Sequence, residues 1–458
     1  MVKEIKYKYL QYVLIFFSLC FICIGIVAGY YITSLIFGVG IYIFNEVVGS
    51  DHVYYDVGKN HQYQCTNSLV SKHIIKNNTA YISEDHISDN STIFLEVTCK
   101  AAITGYFMDP FIEMHCGEQS ACQYFERGFQ GKRYLNISHL PLTTTPEISL
   151  RLKYCSLQTN DYQLISTKNP DISTKKVLVI APHADDAEIA AFGLYSNHNS
   201  LVVTITSGES EPDSHLVNMT KNKQAASVLK GRLRAWDSVA IPLWAGLKPN
   251  RAVNLGYSDN TLEKLYSNKT TCFPSEVKRE VRKLNTLKLQ SDKEGSCSWQ
   301  SLSLDLSEII QQFSPEVIVT PHPEMDAHMD HRFSTEAIKE AVDKDQLKDI
   351  VFLYYINHSH NTDLWPFGPH GSIVAPPPGI GQVESFYSCH VDASTQINKA
   401  CSLEMMHDLR KLPKIKHRIR FWLQKIFINR GVHPLGSNPY FRKSIRQNEL
   451  FIVDRQKR

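Results

Sequence analysis

An unbroken apolar strand at 177–181 (VLVIA), a helix-like AEIAAFGLYS and a second apolar strand at 201–206 (LVVTIT) set the architecture of the larger part of this 458-residue chain. Strands that are apolar on both faces must be covered on both faces, which a parallel sheet with crossover helices achieves. The alternation continues with a long amphipathic helix at 224–239, a short strand at 253–256 and helical stretches at 275–290 and 303–313. A strand at 316–321 (EVIVTP), a helix at 332–343 and a strand at 351–357 (VFLYYIN) complete it. The pattern predicts an α/β, Rossmann-like, mainly parallel sheet spanning residues 169–458. No G-x-G-x-x-G follows the first strand, so a dinucleotide is not expected. Forty-nine Lys and Arg against 46 Asp and Glu leave a formal charge of +3, without the footprint of a nucleic-acid binder.

Ligands of open α/β sheets collect beyond the carboxyl ends of the strands. There the first strand delivers Pro182, His183, Ala184, Asp185 and Asp186. A His and a carboxylate three residues apart on a tight turn can face one divalent ion, while the intervening Asp185 can accept a proton from water bound to it. The strand at 316–321 delivers His322, Asp326, His328, Asp330 and His331 ahead of a helix, a second source of ligands. Taken alone, the first cluster also suits a helix cap that needs no metal. Two such clusters at strand ends favour the metal. Glu188 reads as a first-turn carboxylate that favours the helix N-terminus.

With PHADD after one strand and HMDH after another, the sequence resembles the PIG-L/LmbE-like family of zinc-dependent N-acetylglucosaminyl de-N-acetylases, whose signature is PHxDD and HxDH. The resemblance covers about residues 174–345 and leaves the N-terminal third uncovered. It implies His183, Asp186 and His331 as metal ligands, Asp185 as general base, and His328 as an acid or oxyanion stabiliser. It also implies substrate contacts from Arg234, Tyr257 and Asp259; Asp237 replaces the usual Glu, and Ser258 and Asn260 replace Pro and Gly. His322 and Asp326 are expected behind the ligands. The expected cofactor is Zn2+, with other divalent metals able to fill such a site. The expected activity is hydrolysis of the N-acetyl group of an amino sugar in an envelope glycan or glycolipid, by metal-activated water with Asp185 as base. One rival is a glycan-binding or assembly protein with an inactive deacetylase-like domain, against which intact Asp185 and His328 argue. Another is an amidase for a different N-acyl substrate, distinguished by the acid it releases. The sequence sets no oligomeric state.

The N-terminal part carries other expectations. Residues 9–44 run without a charge, more than the roughly 20 residues a bilayer core requires. Lys3, Lys6 and Lys8 precede the run and Glu46 and Asp51 follow it, which predicts a transmembrane helix with its N-terminus in the cytoplasm. Residues 1–50 are then a cytoplasmic tail and anchor, and the body is extracytoplasmic, periplasmic at a bacterial inner membrane. Two short spans pivoting at 29–31 are the alternative. Residues 51–168 alternate in short strand-like stretches between Gly, Asn, Asp and Pro, predicting a β-sandwich module. Tyr124, Phe125 and Phe129 are either sugar-stacking or core aromatics. Nine cysteines beyond the anchor suggest disulfides, with Cys116–Cys122, Cys272–Cys297 and Cys389–Cys401 as local pairs. Asn77, Asn90, Asn136, Asn218, Asn268 and Asn357 head glycan-acceptor triplets. The basic stretch Arg410, Lys411, Lys414, Lys416, His417, Arg418 and Arg420 reads as a solvated helix face or as a contact for anionic lipid or phosphate.

Overall fold

The computed structural model describes residues 16, 19–20, 22–49, 53–88, 90–293, 295–410, 414–428, 430 and 439–455. The charge-free N-terminal run does not form one long helix. Residues 22–27 are helical, the chain turns at 28–30, and a second helix, α1 (Tyr31–Val47), follows. Gly29 occupies the turn with φ +82°, a left-handed conformation open to glycine without steric cost. A Cβ on Gly25 would stand 2.1 Å from Ser34 Oγ, so the two helical pieces lie side by side. Among the described residues no helix is long and apolar enough to cross a membrane. This corrects the expected transmembrane helix, and with it the membrane-anchored, periplasmic localisation that rested on one unbroken span. The break at Gly29 is the physical reason. Lys3, Lys6, Lys8 and Asp51, which oriented the expected span, lie outside the described residues.

Eight antiparallel strands follow as two sheets. The first orders β1 (Ser68–Ile74), β8 (Cys155–Lys168), β3 (Ser91–Ala101) and β6 (Gln130–Asn136). The second orders β2 (Thr79–Tyr81), β7 (Glu147–Lys153), β4 (Phe111–Cys116) and β5 (Gln119–Tyr124). Alternate residues of both, among them Leu95, Val97, Ile112, Met114, Leu135, Ile148 and Leu164, interdigitate in a buried core. Phe125 and Phe129 are buried and stack on each other at 4.8 Å, which makes them core and not sugar platforms.

The α/β part builds a seven-stranded sheet in the order β11 (Ala252–Tyr257), β10 (Asn199–Thr206), β9 (Lys176–Ala181), β12 (Val317–Pro321), β13 (Val351–Tyr355), β15 (Asn448–Arg455) and β14 (Ser385–His390). β11 to β13 pair in parallel, while β15 and β14 are antiparallel additions, so the sheet is mixed. Helices α2 (Asp186–Ser196), α3 (Lys223–Trp244), α4 (Trp299–Phe313) and α5 (Met329–Lys344) cross over it. Their starts are chemically marked: Asn222 accepts from Gln224 N and Ala225 N, and Ser298 and Ser301 form a reciprocal capping box. The expected helix at 275–290 is shorter, ending at Arg282, whose guanidinium turns inward to Asp305. Strand order reverses between β9 and β12, which opens a crevice at their carboxyl ends.

One core runs through the sandwich and the sheet. Phe94, Tyr134 and Ile165 pack with Phe386 and Ile452, and Phe94 meets Phe386 edge-on at 5.6 Å. Ser388 N–H donates to Thr92 Oγ1 at 2.8 Å. Beyond β14 lie α6 (Ala393–Met405), α7 (Ile415–Ile428) and α8 (Pro439–Ser444). The basic face of α7 turns partly inward, with Arg420 Nε donating to the buried Glu46 at 2.6 Å. Lys411 lies outside the described residues.

The expected disulfides are absent, since all eleven cysteines are free. Strand register explains two cases: Glu113 and not Cys116 faces Cys122, and Ser298 and not Cys297 faces Cys272. Two glycan-acceptor triplets are also excluded by burial, because Asn136 donates its amide to Val374 O and Asn357 donates its own to Asp186.

Candidate metal and catalytic site

The turn after β9 is held in a conformation that side chains ordinarily avoid. Asp185 has φ +120°, in a region that costs a non-glycine residue roughly 1–3 kcal/mol. Arg234 on α3 braces it, donating from Nη2 to Ala184 O at 2.8 Å and lying 3.4 Å from Asp185 Oδ1. The guanidinium packs over Gly208 at the end of β10, where a Cβ would stand 2.6 Å from Nη1. Asp408 takes its other side at 2.9 Å. Burial pushes the Asp185 carboxyl up to about 7, against the pull of Arg234 and with that of the Asp186 charge. A carboxyl poised near neutrality suits a general base.

Asp186 opens α2 and gathers two imidazoles. His183 Nδ1 lies 3.2 Å from its Oδ2 and His331 Nε2 lies 3.1 Å from the same oxygen. Burial alone would raise this carboxyl, but His331 and His183 hold it well below the usual range. His331 is fully buried and donates from Nδ1 to Asp326 Oδ2 at 3.1 Å. Its Nε2 makes no hydrogen bond. A neutral His331 therefore turns a lone pair toward a carboxylate, which is unfavourable unless a positive charge lies between them. Without a metal that charge is a proton: burial opposes it, but Asp186 and Asp326 raise His331 to about 10. An orphaned imidazole nitrogen, a facing carboxylate and a carboxylate behind the ring together fit a divalent cation.

The remaining residues close around this pair. His328 caps α5, and Asp330 N–H donates to its Nδ1 at 3.2 Å, so its neutral form carries the proton on Nε2. Burial and the neighbouring His183 and His331 lower its pKa. Its ring meets that of His183 edge-on at 4.8 Å. Asp259 lies 3.1 Å from His183 Nε2. Asp330 ties the 258–262 turn to α5, accepting from Asn260 N at 2.7 Å and Leu262 N at 3.1 Å. Among the described residues three sets can hold a cation: His183, His328 and His331; Asp186, His331 and His358; and His183, Asp259 and Asp330.

The structure thus brings His183, Asp185, Asp186, Arg234, Asp259, His328 and His331 to one crevice. It does not bring Tyr257, whose hydroxyl is committed to Ser301 and Asp305 in the core and which has no exposed surface. As the last residue of β11 its side chain takes the inward face. Asp237 pairs with His407, and His322 accepts from the Glu324 and Met325 amides of its own turn. Nothing in the sequence points to Asp408 or Tyr440; it offers Asp330 without a role and Asn357 only as a glycan acceptor, and sets His358 in a Pro- and Gly-rich region as a surface-loop residue or a lining of the cleft. His358 carried a usable signal, since it follows the carboxyl end of a parallel strand as His183 and His328 do.

Several solved structures resemble the chain. The N,N'-diacetylchitobiose deacetylase from Pyrococcus horikoshii is 18% identical, matching 62% of this chain and 85% of its own with a TM-score of 0.34. The conserved protein TT1542 from Thermus thermophilus is 16% identical over 61% and 94% of the two chains, TM-score 0.31. The 4-carboxy-2-hydroxymuconate hydratase GalB from Pseudomonas putida is 12% identical over 62% and 97%, TM-score 0.33. Likenesses this distant carry no argument about chemistry. No curated protein matches the chain. Residues 178–342, which carry both motifs and the strands that present them, match the family described as PIG-L: GlcNAc-PI de-N-acetylase. Over that segment the chain is similar to the PIG-L family.

Proposed function

We propose that the chain is a metal-dependent hydrolase that removes the N-acetyl group from an amino sugar. The observation that carries this reading is the convergence of Asp185, Asp186, His183, His328 and His331 at the switch point of the sheet, with His331 Nε2 buried, facing Asp186 Oδ2 at 3.1 Å and making no hydrogen bond. His183, Asp186 and His331 would hold the cation, zinc in the first instance. When bound, a divalent ion supplies Lewis-acid polarisation of the acyl oxygen and acidifies water.

The chain's own residues supply the proton traffic. Asp185, ionised and braced by Arg234, takes the proton of the attacking water on a carboxylate oxygen. His328 donates from Nε2 to the oxygen that becomes negative as the amide carbonyl turns tetrahedral. Return of the proton to the amide nitrogen releases acetate and a free amine. Asp259, beside His183, would accept a sugar hydroxyl. The test is acetate release from N-acetylated chito-oligosaccharides by the full chain, stripped of metal and restored with zinc, beside Asp185→Ala. Zinc-dependent release that Asp185→Ala abolishes supports the reading, and release that survives the substitution overturns the role of Asp185.

A further inference from the structure

His358 stands three residues beyond β13, outside the segment the family match covers. The groups that orient His331 and Asp186 also fasten its loop. Asp326 Oδ2, which holds His331 Nδ1, accepts from Asn357 N at 3.0 Å and His358 N at 3.2 Å. The Asn357 side-chain amide donates to Asp186 Oδ1 at 2.8 Å. The His358 ring meets that of His331 edge-on at 4.8 Å, and its Nδ1 lies 3.1 Å from the Tyr440 hydroxyl. A ring nitrogen of His331, one of His358 and an oxygen of Asp186 all lie within 4.8 Å of one another.

The two imidazoles are built alike. In each, Nδ1 faces an oxygen: the Asp326 carboxylate can only accept, which fixes the proton on His331 Nδ1, and the Tyr440 hydroxyl, when it accepts from His358 Nδ1, likewise leaves Nε2 for a third party. A fixed tautomer with one nitrogen engaged behind the ring is how proteins orient a metal-binding histidine. A histidine that merely filled the loop would not need its backbone tied to the carboxylate behind one ligand and its neighbour's amide tied to another. We propose that His358 is a further ligand of the cation, sharing it with Asp186 and His331, and that Tyr440 on α8 is the positioning residue that orients its ring. The C-terminal segment then completes the centre. This rests on the cation-binding reading above.

The test reads the metal and not turnover. X-ray absorption of the zinc-loaded full chain should count three imidazoles, from His183, His331 and His358; a count of two overturns the proposal whatever the variants do. Competition with a chromophoric chelator should show zinc held about 10- to 100-fold more weakly by His358→Ala. Tyr440→Phe should show a smaller loss with the same imidazole count. Thermal unfolding of the metal-free variants separates a lost ligand from a lost fold. Zinc affinity unchanged in a folded His358→Ala also overturns the proposal. A wild-type chain that binds no zinc fails the cation reading itself, a different result from a chain that binds it through two imidazoles.

Discussion

Replacing Asp326 by Asn should weaken zinc binding while leaving the chain folded. The Asp326 carboxylate has no exposed surface and receives four N–H donors: His331 Nδ1, Asn357 N and His358 N at Oδ2, and His328 N at Oδ1. An amide whose oxygen replaces Oδ2 keeps three of them and turns its NH2 toward the His328 N–H. One buried donor is then orphaned, at a cost of about 1–3 kcal/mol. The lost negative charge matters more to the metal, because it is what holds the proton on His331 Nδ1 and sharpens the basicity of Nε2. Removal of such a partner behind a ligand typically weakens binding by about 10- to 100-fold, or about 1.4–2.8 kcal/mol at 1.4 kcal/mol per tenfold. Chelator competition at neutral pH measures the affinity, and thermal unfolding of the metal-free protein measures the cost to the fold. Asp326→Ala orphans all four donors and should destabilise the metal-free chain far more. A folded Asp326→Asn that binds zinc as tightly as the wild type would refute the reasoning.

Other outcomes follow from the same geometry. Asp185→Asn should lower kcat by about 10²- to 10⁴-fold and leave zinc affinity nearly unchanged, as measured by turnover and chelator competition. Since burial raises the Asp185 carboxyl to about 7, above the ordinary value of about 4, its contribution to stability is complete below about pH 4 and lost as pH rises through about 7. The metal-free Asn variant should therefore melt higher than wild type at pH 8 and not at pH 4; the reverse order would contradict the burial argument. Gly208→Ala puts a Cβ 2.6 Å from Arg234 Nη1 at φ +61°, so it should strain the backbone by about 1–2 kcal/mol, displace the brace on Asp185 and lower kcat more than it raises KM. Phe386→Ala should cost about 3–5 kcal/mol and lower one cooperative transition that includes the sandwich, because Phe386 is buried against Phe94. Separate melting of the sandwich would argue against the shared core.

The site was legible where chemistry is local. His183, Asp185 and Asp186 lie within four residues at a strand end, and His328 and His331 lie within one helical turn at another, so spacing pointed to each cluster and the family resemblance singled out the residues within it. What linked them is not local. Arg234 reaches Asp408 from α3, and Tyr440 reaches His358 across 82 residues of chain, contacts that no periodicity records. His358 follows a strand end as the others do, but its Pro- and Gly-rich surroundings read as surface loop. In the N-terminal run hydropathy registers side chains and not backbone dihedrals, so it favoured one span even though the pivot at 29–31, where Gly29 is left-handed, was visible as the alternative. Tyr257 shows the converse limit. Two residues from Asp259, it lies on the strand face that turns into the core.

The central claim is that a cation held between Asp186 and His331 makes this crevice a de-N-acetylase. Acetate should be measured from N-acetylated chito-oligosaccharides incubated with the metal-stripped full chain, before and after zinc is restored. The account requires no acetate without metal and stoichiometric amine and acetate with it. A chain that binds zinc at this site and releases neither from any N-acetylated amino sugar would contradict it.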